Sequence, residues 1–120
     1  MMCRVYISGP FTGLTDLHVE QNIAAAAAFI PPIIEAGGSP VCMHTQLGPV
    51  RRRVGWDAAM AVCLDQLAPC DALLLIPGWQ HSRGALQEYE RSSDLHQEIF
   101  EATAPGVLPP DCVAWIGGNS

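Results

Sequence analysis

The chain has 120 residues, 49% of them apolar, and a net charge of −6. This length suits a single domain over residues 1–120 that needs no disulfide to fold. No apolar run approaches the roughly 18 residues of a membrane-spanning helix, and the acidic balance argues against a polymeric nucleic acid, which favours a basic surface. We therefore expect a globular protein whose partners are neither membranes nor nucleic acid polymers.

The cysteines and histidines show no pattern typical of a metal site or a disulfide framework. The five cysteines are odd in number and contain no CxxC pair, and the four histidines lack metal-ligand spacing. The first residues also lack the apolar core and cleavage site of a signal peptide. These features predict a cytoplasmic protein with reduced thiols and no metal or other cofactor.

In chain order, the first strand and the first helix are clearly marked. Residues 3–8 are β-branched and aromatic and end at a Gly-Pro pair, which is typical of a strand followed by a turn. Residues 16–29 predict a helix, because Asp16 is a good N-cap and five consecutive alanines have high helix propensity. Pro31 and Pro32 then remove two backbone donors and predict a kink or a stop.

The rest of the chain continues the alternation of strands and helices. Apolar side chains at intervals of four, four and three residues, starting at Trp56, form one face of a helix. The further predicted elements are a short strand at 40–44, a loop at 47–55, a helix at 56–68, a buried strand at 71–76, a helix at about 83–100 and a final strand at 112–116.

This alternation predicts an α/β fold, a single-domain three-layer sandwich around a mainly parallel sheet of four to five strands in the order 2-1-3-4. In such sheets ligands bind beyond the carboxyl ends of the strands, where the strand order reverses. The loops that meet there are SGPFTG, residues 8–13, and PGWQHSRGA, residues 77–85. Their glycines allow the backbone to approach a ligand closely, so we expect a ligand crevice between them.

The second crevice loop leads into a helix with features suited to an anionic ligand. The Ser-Arg-Gly stretch at 82–84 precedes the helix, where free backbone amides and the helix dipole attract a phosphate. Glu88 follows about one turn later, where a carboxylate stays ionised easily and can serve as a nucleophile at the crevice mouth. The alternative is that Glu88 only complements the helix N-terminus.

Three further features each allow two interpretations. Trp79 either stacks on a base or packs over the end of the sheet. Arg83 either pairs with a phosphate or stays solvated. The arginine run at 51–53 is either a solvated loop or a mobile loop that closes over an anionic ligand.

The segments VYISGPFTG, AGGSPV, CDALLLIPGW and SRGALQE, with Asn22 between the first two, stand in this order within residues 4–90. Together they resemble a family of small bacterial and phage proteins of uncharacterised function. That family is related to the nucleoside 2-deoxyribosyltransferases and the deoxynucleoside 5′-monophosphate N-glycosidases. The resemblance implies a nucleoside deoxyribosyltransferase-like, flavodoxin-like domain.

In the enzymes of that superfamily a glutamate attacks the anomeric carbon of the deoxyribose and displaces the base. The resemblance matches this glutamate to Glu88, and it matches Tyr6 to the aromatic residue that positions the nucleophile. The resemblance therefore gives two predicted catalytic residues, Glu88 and Tyr6. From its strand position alone, however, Tyr6 is better explained as a core aromatic.

The resemblance also implies that one crevice loop contacts the sugar and the other contacts the phosphate. It matches Ser8 and Gly9 to the loop that lines the sugar pocket, and Ser82 and Gly84 to the segment that receives the 5′-phosphate. The predicted ligand-binding residues are Ser8, Gly9, Pro10, Gly78, Trp79, Ser82, Arg83 and Gly84.

One position departs from the pattern of these relatives. They carry an aspartate eight residues before the Asp of the Cys-Asp pair, and this chain carries Cys63 there. Asp65 is rotated by about 200° along the helix, nearly onto the opposite face, and Asp71 begins a strand about 17 Å from its carboxyl end. Asp57 remains as the candidate for the acid that assists the leaving base.

Three functional classes remain open. The first is an enzyme that hydrolyses or exchanges a nucleoside or nucleotide N-glycosidic bond, which Tyr6, Ser82 and Glu88 favour slightly. The second is a binding module that sequesters a nucleotide or a nucleotide-derived signal without turnover, which Cys63 favours. The third, an interaction protein with surface tryptophans, leaves the glycine loops unexplained. Because the relatives form dimers or larger assemblies, the resemblance also implies a homo-oligomer.

Overall fold

The computed structural model describes residues 1–120 as a four-stranded sheet with helices around it. All strand pairs are parallel, and the order β2-β1-β3-β4 confirms the predicted α/β topology. No helix has the length and apolar character needed to cross a membrane. The strands are β1 (Arg4–Ser8), β2 (Ser39–Val41), β3 (Ala72–Leu75) and β4 (Glu98–Glu101), and the helices are α1 (Asp16–Ala27), α2 (Ile30–Ala36), α3 (Met43–Leu47), α4 (Trp56–Leu67), α5 (Arg83–Asp94) and α6 (Pro110–Asn119).

The two faces of the sheet bury two separate apolar clusters, because successive side chains of a strand point to opposite faces. Val5 and Ile7 of β1 lie in the larger cluster, with apolar side chains of α1, α2 and α6. Tyr6 lies in the smaller cluster, with Leu67 of α4 and Leu73 of β3. The side chains of Tyr6 and Ser8 therefore point to the same face, which is the face that α4 and α5 cover.

The start of α1 and the proline pair differ in detail from the prediction. The N-cap of α1 is Thr15 instead of Asp16, because the Thr15 hydroxyl accepts a hydrogen bond from the His18 amide at 3.1 Å. Pro31 and Pro32 lie in the first turn of α2, where missing backbone donors cost no helical hydrogen bond. The predicted interruption is thus a break between two helices.

The second predicted strand is shorter than expected, and the predicted loop after it is partly helical. β2 ends at Val41, and Cys42 is the extended residue that precedes α3. A 3₁₀ turn, Gly48–Val50, follows α3 directly. After this early end of β2, His44 lies in the first turn of α3, and its ring contacts the loop after β1 at Pro10.

The carboxyl-terminal third holds two wrong predictions of element type. The predicted helix at 83–100 ends at Asp94, and the chain reverses through His96 at a φ of 57° before it forms β4. The predicted final strand at 112–116 lies inside α6, where Cys112 and Ile116 share one buried face. That spacing of four residues fits a helix, and Pro110 lies in its first turn.

Candidate functional site

A cavity of about 320 Å³ opens beyond the carboxyl end of β1, and we call it the Glu88 cavity. Its volume lies at the lower end of the range of about 300 to 1,000 Å³ that is typical of small-molecule sites. Its walls are formed by the loop after β1, the amino-terminal part of α1, α3, the loop before α4, and parts of α4 and α5. The polar side chains that line it are Tyr6, Thr12, Asp16, His44, Arg51, Arg52, Cys63, Ser82 and Glu88.

Glu88 is held by two hydroxyl groups from β1. The Tyr6 hydroxyl donates a hydrogen bond to Oε2 of Glu88, and the Ser8 hydroxyl donates one to Oε1 at 2.7 Å. Tyr6 and Ser8 are fully buried, and Glu88 is only 6% exposed. The two-residue period of the strand places both donors on one face, so they fix both oxygens of one carboxylate.

The burial of Glu88 corrects the expectation of an exposed, readily ionised side chain. Burial raises the pKa of Glu88 to about 7, although the hydrogen bonds from Tyr6 and Ser8 favour the ionised form and act against this shift. A pKa near neutrality means that both the ionised and the neutral form of this carboxyl group are accessible near neutral pH. It can therefore act either as a nucleophile or as a proton donor.

Tyr6 and Cys63 stay protonated beside this carboxyl group. Burial, followed by the negative charge of Glu88, raises the pKa of Tyr6 well above its ordinary value. The same two causes, in the same order, raise the pKa of Cys63 to about 11. The Cys63 thiol lines the cavity and is neutral at physiological pH, so it carries no charge comparable to that of an aspartate.

His44 forms part of the cavity wall in its neutral state. Its ring Nε2 lies 2.9 Å from the carbonyl oxygen of Pro10, which can only accept a hydrogen bond, so Nε2 carries the proton and donates it. Burial lowers the pKa of His44 from its ordinary value. The ring also contacts Phe11, with the ring centroids 5.5 Å apart.

The amino-terminal end of α5, the helix that carries Glu88, also lines the cavity. The Ser82 hydroxyl is the N-cap and accepts a hydrogen bond from the Ala85 amide at 3.2 Å. The amides of Arg83 and Gly84 have no acceptor in the protein. Free amides at a helix N-terminus attract anions, so this end of the cavity suits a phosphate.

Two arginines from the loop before α4 lie at the cavity mouth. Arg51 donates to Glu20 at 2.7 Å and to the Gly48 carbonyl at 2.7 Å, and Arg52 pairs with Asp16. Sequence reasoning assigned Asp16 to a helix cap and did not single it out as a site residue. The loop is therefore held against α1 by ion pairs, which neither interpretation of the arginine run included.

Five residues of the predicted site line the cavity: Tyr6, Gly9, Ser82, Gly84 and Glu88. Ser8 does not line it but donates a hydrogen bond to Glu88. Four other predicted ligand-binding residues lie outside the lining: Pro10, Gly78, Trp79 and Arg83.

Each of these four residues has a structural explanation. Gly78 adopts a φ of 91°, and a Cβ there would lie 3.0 Å from Pro10, so the two loops touch at this point. Trp79 packs against Tyr89 with ring centroids 5.2 Å apart, which matches the packing interpretation. The guanidinium of Arg83 lies 4.0 Å above the ring of Trp56, itself a cavity residue.

Residues 3–101 of the chain match the model of a domain of unknown function, DUF4406. The chain belongs to this family. No curated protein matches it. The matched DUF4406 region includes all four strands and every residue that lines the Glu88 cavity, whereas α6 lies beyond it.

The DUF4406 site contains no arrangement suited to a metal ion, since no three His, Cys, Asp or Glu side chains converge. Asp57, the candidate for the assisting acid, is exposed and does not line the cavity. Sequence reasoning missed the contribution of His44 and underestimated that of Arg51 and Arg52. For His44 the available signal was its position just after β2, whose carboxyl end meets the same edge of the sheet as that of β1.

Proposed function

We propose that this DUF4406 chain binds a nucleoside or nucleotide in the Glu88 cavity and cleaves or exchanges its N-glycosidic bond, with Glu88 as nucleophile. One observation carries the proposal. Glu88 is a buried carboxylate at a cavity wall, and the hydroxyls of Tyr6 and Ser8 bond its two oxygens. A structural ion pair would place a cation beside this carboxylate, and Glu88 has none.

The chemistry needs the ionised form of Glu88. A carboxylate oxygen attacks the anomeric carbon of the sugar, and the bond between that carbon and the base nitrogen breaks with its electron pair on the base. The departing base takes up a proton from solvent. Water, or a second base, then attacks the same carbon, releases a proton to solvent and breaks the ester bond, which restores the Glu88 carboxylate.

Tyr6 and Ser8 act as positioning residues in this scheme. Each carboxylate oxygen accepts one hydrogen bond and keeps a further lone pair for the sugar. The two bonds also prevent rotation of the carboxyl group, which keeps the attacking oxygen aligned with the bond to be broken. Because the pKa of Tyr6 is raised, its hydroxyl stays a donor throughout the reaction.

A 5′-phosphate fits the amino-terminal end of α5. The free amides of Arg83 and Gly84 and the Ser82 cap stand about one turn before Glu88. A phosphate bound there places the attached sugar beside the carboxylate, because one helical turn advances about 5.4 Å. This arrangement favours a nucleotide over a nucleoside as the ligand.

The second candidate function is binding without turnover, and Cys63 favours it. The only other carboxylate that lines the cavity is Asp16, which pairs with Arg52 at the mouth. The side chain closest to the role of an assisting acid is therefore a thiol whose pKa is raised to about 11. A pocket of this kind can hold a nucleotide or a nucleotide-derived signal intact.

The wider setting of the site is also part of the proposal. We infer a cytoplasmic protein, in which the five free cysteines stay reduced. We also infer a homo-oligomer, because Leu14 and Leu17 are largely exposed on the segment that borders the cavity. The proposed partner is a small nucleoside or nucleotide, not a nucleic acid polymer or a membrane. Sedimentation of the purified chain tests the assembly.

The experiment that separates the two functions is incubation with a panel of nucleosides and nucleotides, followed by chromatography of the native and the heat-denatured sample. Release of free base by the native protein identifies the enzyme, whereas recovery of intact ligand only after denaturation identifies the binding module. Glu88→Gln must abolish base release. Glu90→Gln, a substitution at an exposed position of the same helix, serves as the control and must retain it.

A further inference from the structure

Three consecutive carbonyl groups of the loop after β1 accept hydrogen bonds from side chains of neighbouring helices. The Pro10 carbonyl accepts one from the His44 ring at 2.9 Å. The carbonyls of Phe11 and Thr12 accept one each from Nδ2 of Asn22, which lies on α1, at 3.1 and 3.2 Å. A carbonyl oxygen can only accept, so the amide nitrogen of Asn22 faces both of these carbonyls. The loop therefore turns its carbonyl oxygens toward α1 and α3.

The peptide groups that Asn22 holds carry their N–H groups on the opposite side. In a trans peptide group the carbonyl and the N–H of the next residue point in opposite directions, and the chain contains no cis peptide bond. Because the carbonyls of Phe11 and Thr12 point toward Asn22, the amides of Thr12 and Gly13 point away from it. Neither of these two amides has an acceptor in the protein.

The position of the cavity shows what these free amides can reach. Thr12 and Gly13 line the Glu88 cavity, whereas Asn22 does not. Asn22 therefore holds the loop from its α1 side, and the free amides lie on the side of the loop that faces away from α1. A backbone N–H without a protein acceptor needs water or a ligand as its partner. A ligand in the Glu88 cavity can supply that partner.

A second contact holds the same loop against α1. A Cβ at Gly13 would lie 2.6 Å from two atoms of the His18 ring, so only glycine allows this close approach. His18 and Asn22 lie four residues apart on α1, about one helical turn. The His18 contact brings the loop close to α1, and the two Asn22 hydrogen bonds set the orientation of its peptide groups.

We propose that Asn22 is a positioning residue, which holds the loop so that the amides of Thr12 and Gly13 donate hydrogen bonds to an oxygen atom of the ligand in the Glu88 cavity. This inference rests on the proposed nucleoside or nucleotide site and identifies groups that recognise the ligand there. Two sources share the chemistry: a sugar hydroxyl, which a nucleoside and its nucleotide both carry, and a phosphate oxygen, which only the nucleotide carries.

The first test measures affinity by calorimetry, with the common deoxynucleosides and their 5′-monophosphates as probes and the full chain with Glu88→Gln, which keeps the probes intact. Asn22→Ala should lower the affinity about tenfold, because the freed peptide groups rotate and fewer molecules have both amides in place. Asn119→Ala is the matched control and should leave the affinity unchanged. Nδ2 of Asn119 also donates to a backbone carbonyl, that of Trp115 at 2.7 Å, but Asn119 lies on α6 and does not line the cavity.

The second test is a readout that mere anchoring of α1 would not change. In NMR spectra of the chain with Asn22 intact, the amide proton signals of Thr12 and Gly13 should move downfield when a probe binds, because each amide gains an acceptor. In Asn22→Ala at saturating probe these two shifts should be lost. The spectra of the chain with Asn22 intact decide the question even if Asn22→Ala does not fold.

Undiminished affinity in Asn22→Ala, an equal loss in Asn119→Ala, or a bound probe that leaves both amide signals in place overturns the inference. A loss of affinity for nucleosides and monophosphates alike identifies a sugar hydroxyl as the acceptor, whereas a loss for monophosphates alone identifies the phosphate, and either result supports the inference. Failure of the proposed function shows separately, because then no probe binds the chain with Asn22 intact, which overturns the proposed ligand and this inference together.

Discussion

Glu88 lies on a face of α5 that is buried although it carries little apolar surface. The buried side chains of α5 are Ala85, Glu88 and Ser92, which follow helical spacing but are small or polar. Periodicity methods detect apolar residues, so they miss a helix face that is buried because hydroxyl groups of a strand satisfy its polar atoms.

The raised pKa of Glu88 makes the stability of the fold depend on pH. A folded-state pKa of about 7, above the unfolded value of 4.5, means that the folded state binds the extra proton between these values. The stabilisation from the neutral form is therefore complete below the unfolded pKa and is lost as pH rises through about 7. Any cleavage that uses ionised Glu88 should increase over the same rise.

We expect Glu88→Gln, which keeps the neutral shape at every pH, to become relatively more stable as pH rises. The difference in the free energy of unfolding between variant and wild type should grow by about 2 kcal/mol between about pH 5 and about pH 8. Denaturant unfolding at a series of pH values measures this growth. A difference that stays constant with pH would contradict the raised pKa.

Cys63 offers a second test at the residue scale. It lines the cavity beside Glu88 and is only partly buried, so an aspartate there has access to the cavity. If the chain is a slow glycosidase, Cys63→Asp should raise base release by about a hundredfold, the usual contribution of a general acid. Cys63→Asn is the control, since an amide of similar size cannot donate a proton in this way.

Equal rates for the Asp and Asn variants would argue against a missing acid and in favour of the binding module. A melting curve must accompany both variants, because an unpaired carboxylate near Tyr6 and Glu88 also destabilises the fold. A variant that remains folded and gains no activity counts as evidence for binding without turnover.

Among the structural elements, the amino-terminal end of α5 should change the affinity for a phosphorylated ligand. The amides of Arg83 and Gly84 lack acceptors, so a 5′-phosphate should gain charge-assisted hydrogen bonds there. We expect a nucleoside 5′-monophosphate to bind more tightly than its nucleoside by about 1 to 3 kcal/mol. Calorimetry on the pair measures the difference, and equal affinities would remove the phosphate from the site.

The carboxyl-terminal elements show why local propensity misled the prediction. The segment at 112–116 contains valine, tryptophan and isoleucine, which favour strands, but Cys112 and Ile116 pack on one helix face against the larger cluster. The edge strand β4 was not predicted from the sequence, because only one of its side chains, Phe100, is buried. In both segments tertiary packing outweighs intrinsic preference.

The helical assignment of α6 can be tested at Gly117. A Cβ at this position meets no atom within 4 Å, and its backbone is not left-handed. Gly117→Ala should therefore stabilise the fold by up to about 1 kcal/mol, as in an open helix position. Gly37→Ala should have the opposite effect, because Gly37 ends α2 at a φ of 101°. Thermal melts of both variants check the pair, and a destabilising Gly117→Ala would contradict the helix.

At the scale of the whole molecule, the order 2-1-3-4 and the meeting of two glycine loops were predictable. Alternation of strands and helices restricts the topology to few choices, and the strand order determines where the loops converge. The contribution of the arginine loop was not predictable in the same way. Its contacts join residues that lie more than 30 positions apart, Arg51 with Glu20 and Arg52 with Asp16, and no local pattern encodes such pairs.

The proposed mechanism requires a covalent bond between Glu88 and the sugar, and mass spectrometry of the acid-quenched protein detects such a bond. The protein is incubated with an intact nucleotide from which it releases the base. The wild-type chain should then gain the mass of that nucleotide without its base, on the peptide that contains Glu88. Glu88→Gln should show no gain although it still binds the ligand. Base release without any adduct in the wild type, an adduct on another residue, or base release by Glu88→Gln would contradict the assignment of Glu88 as nucleophile.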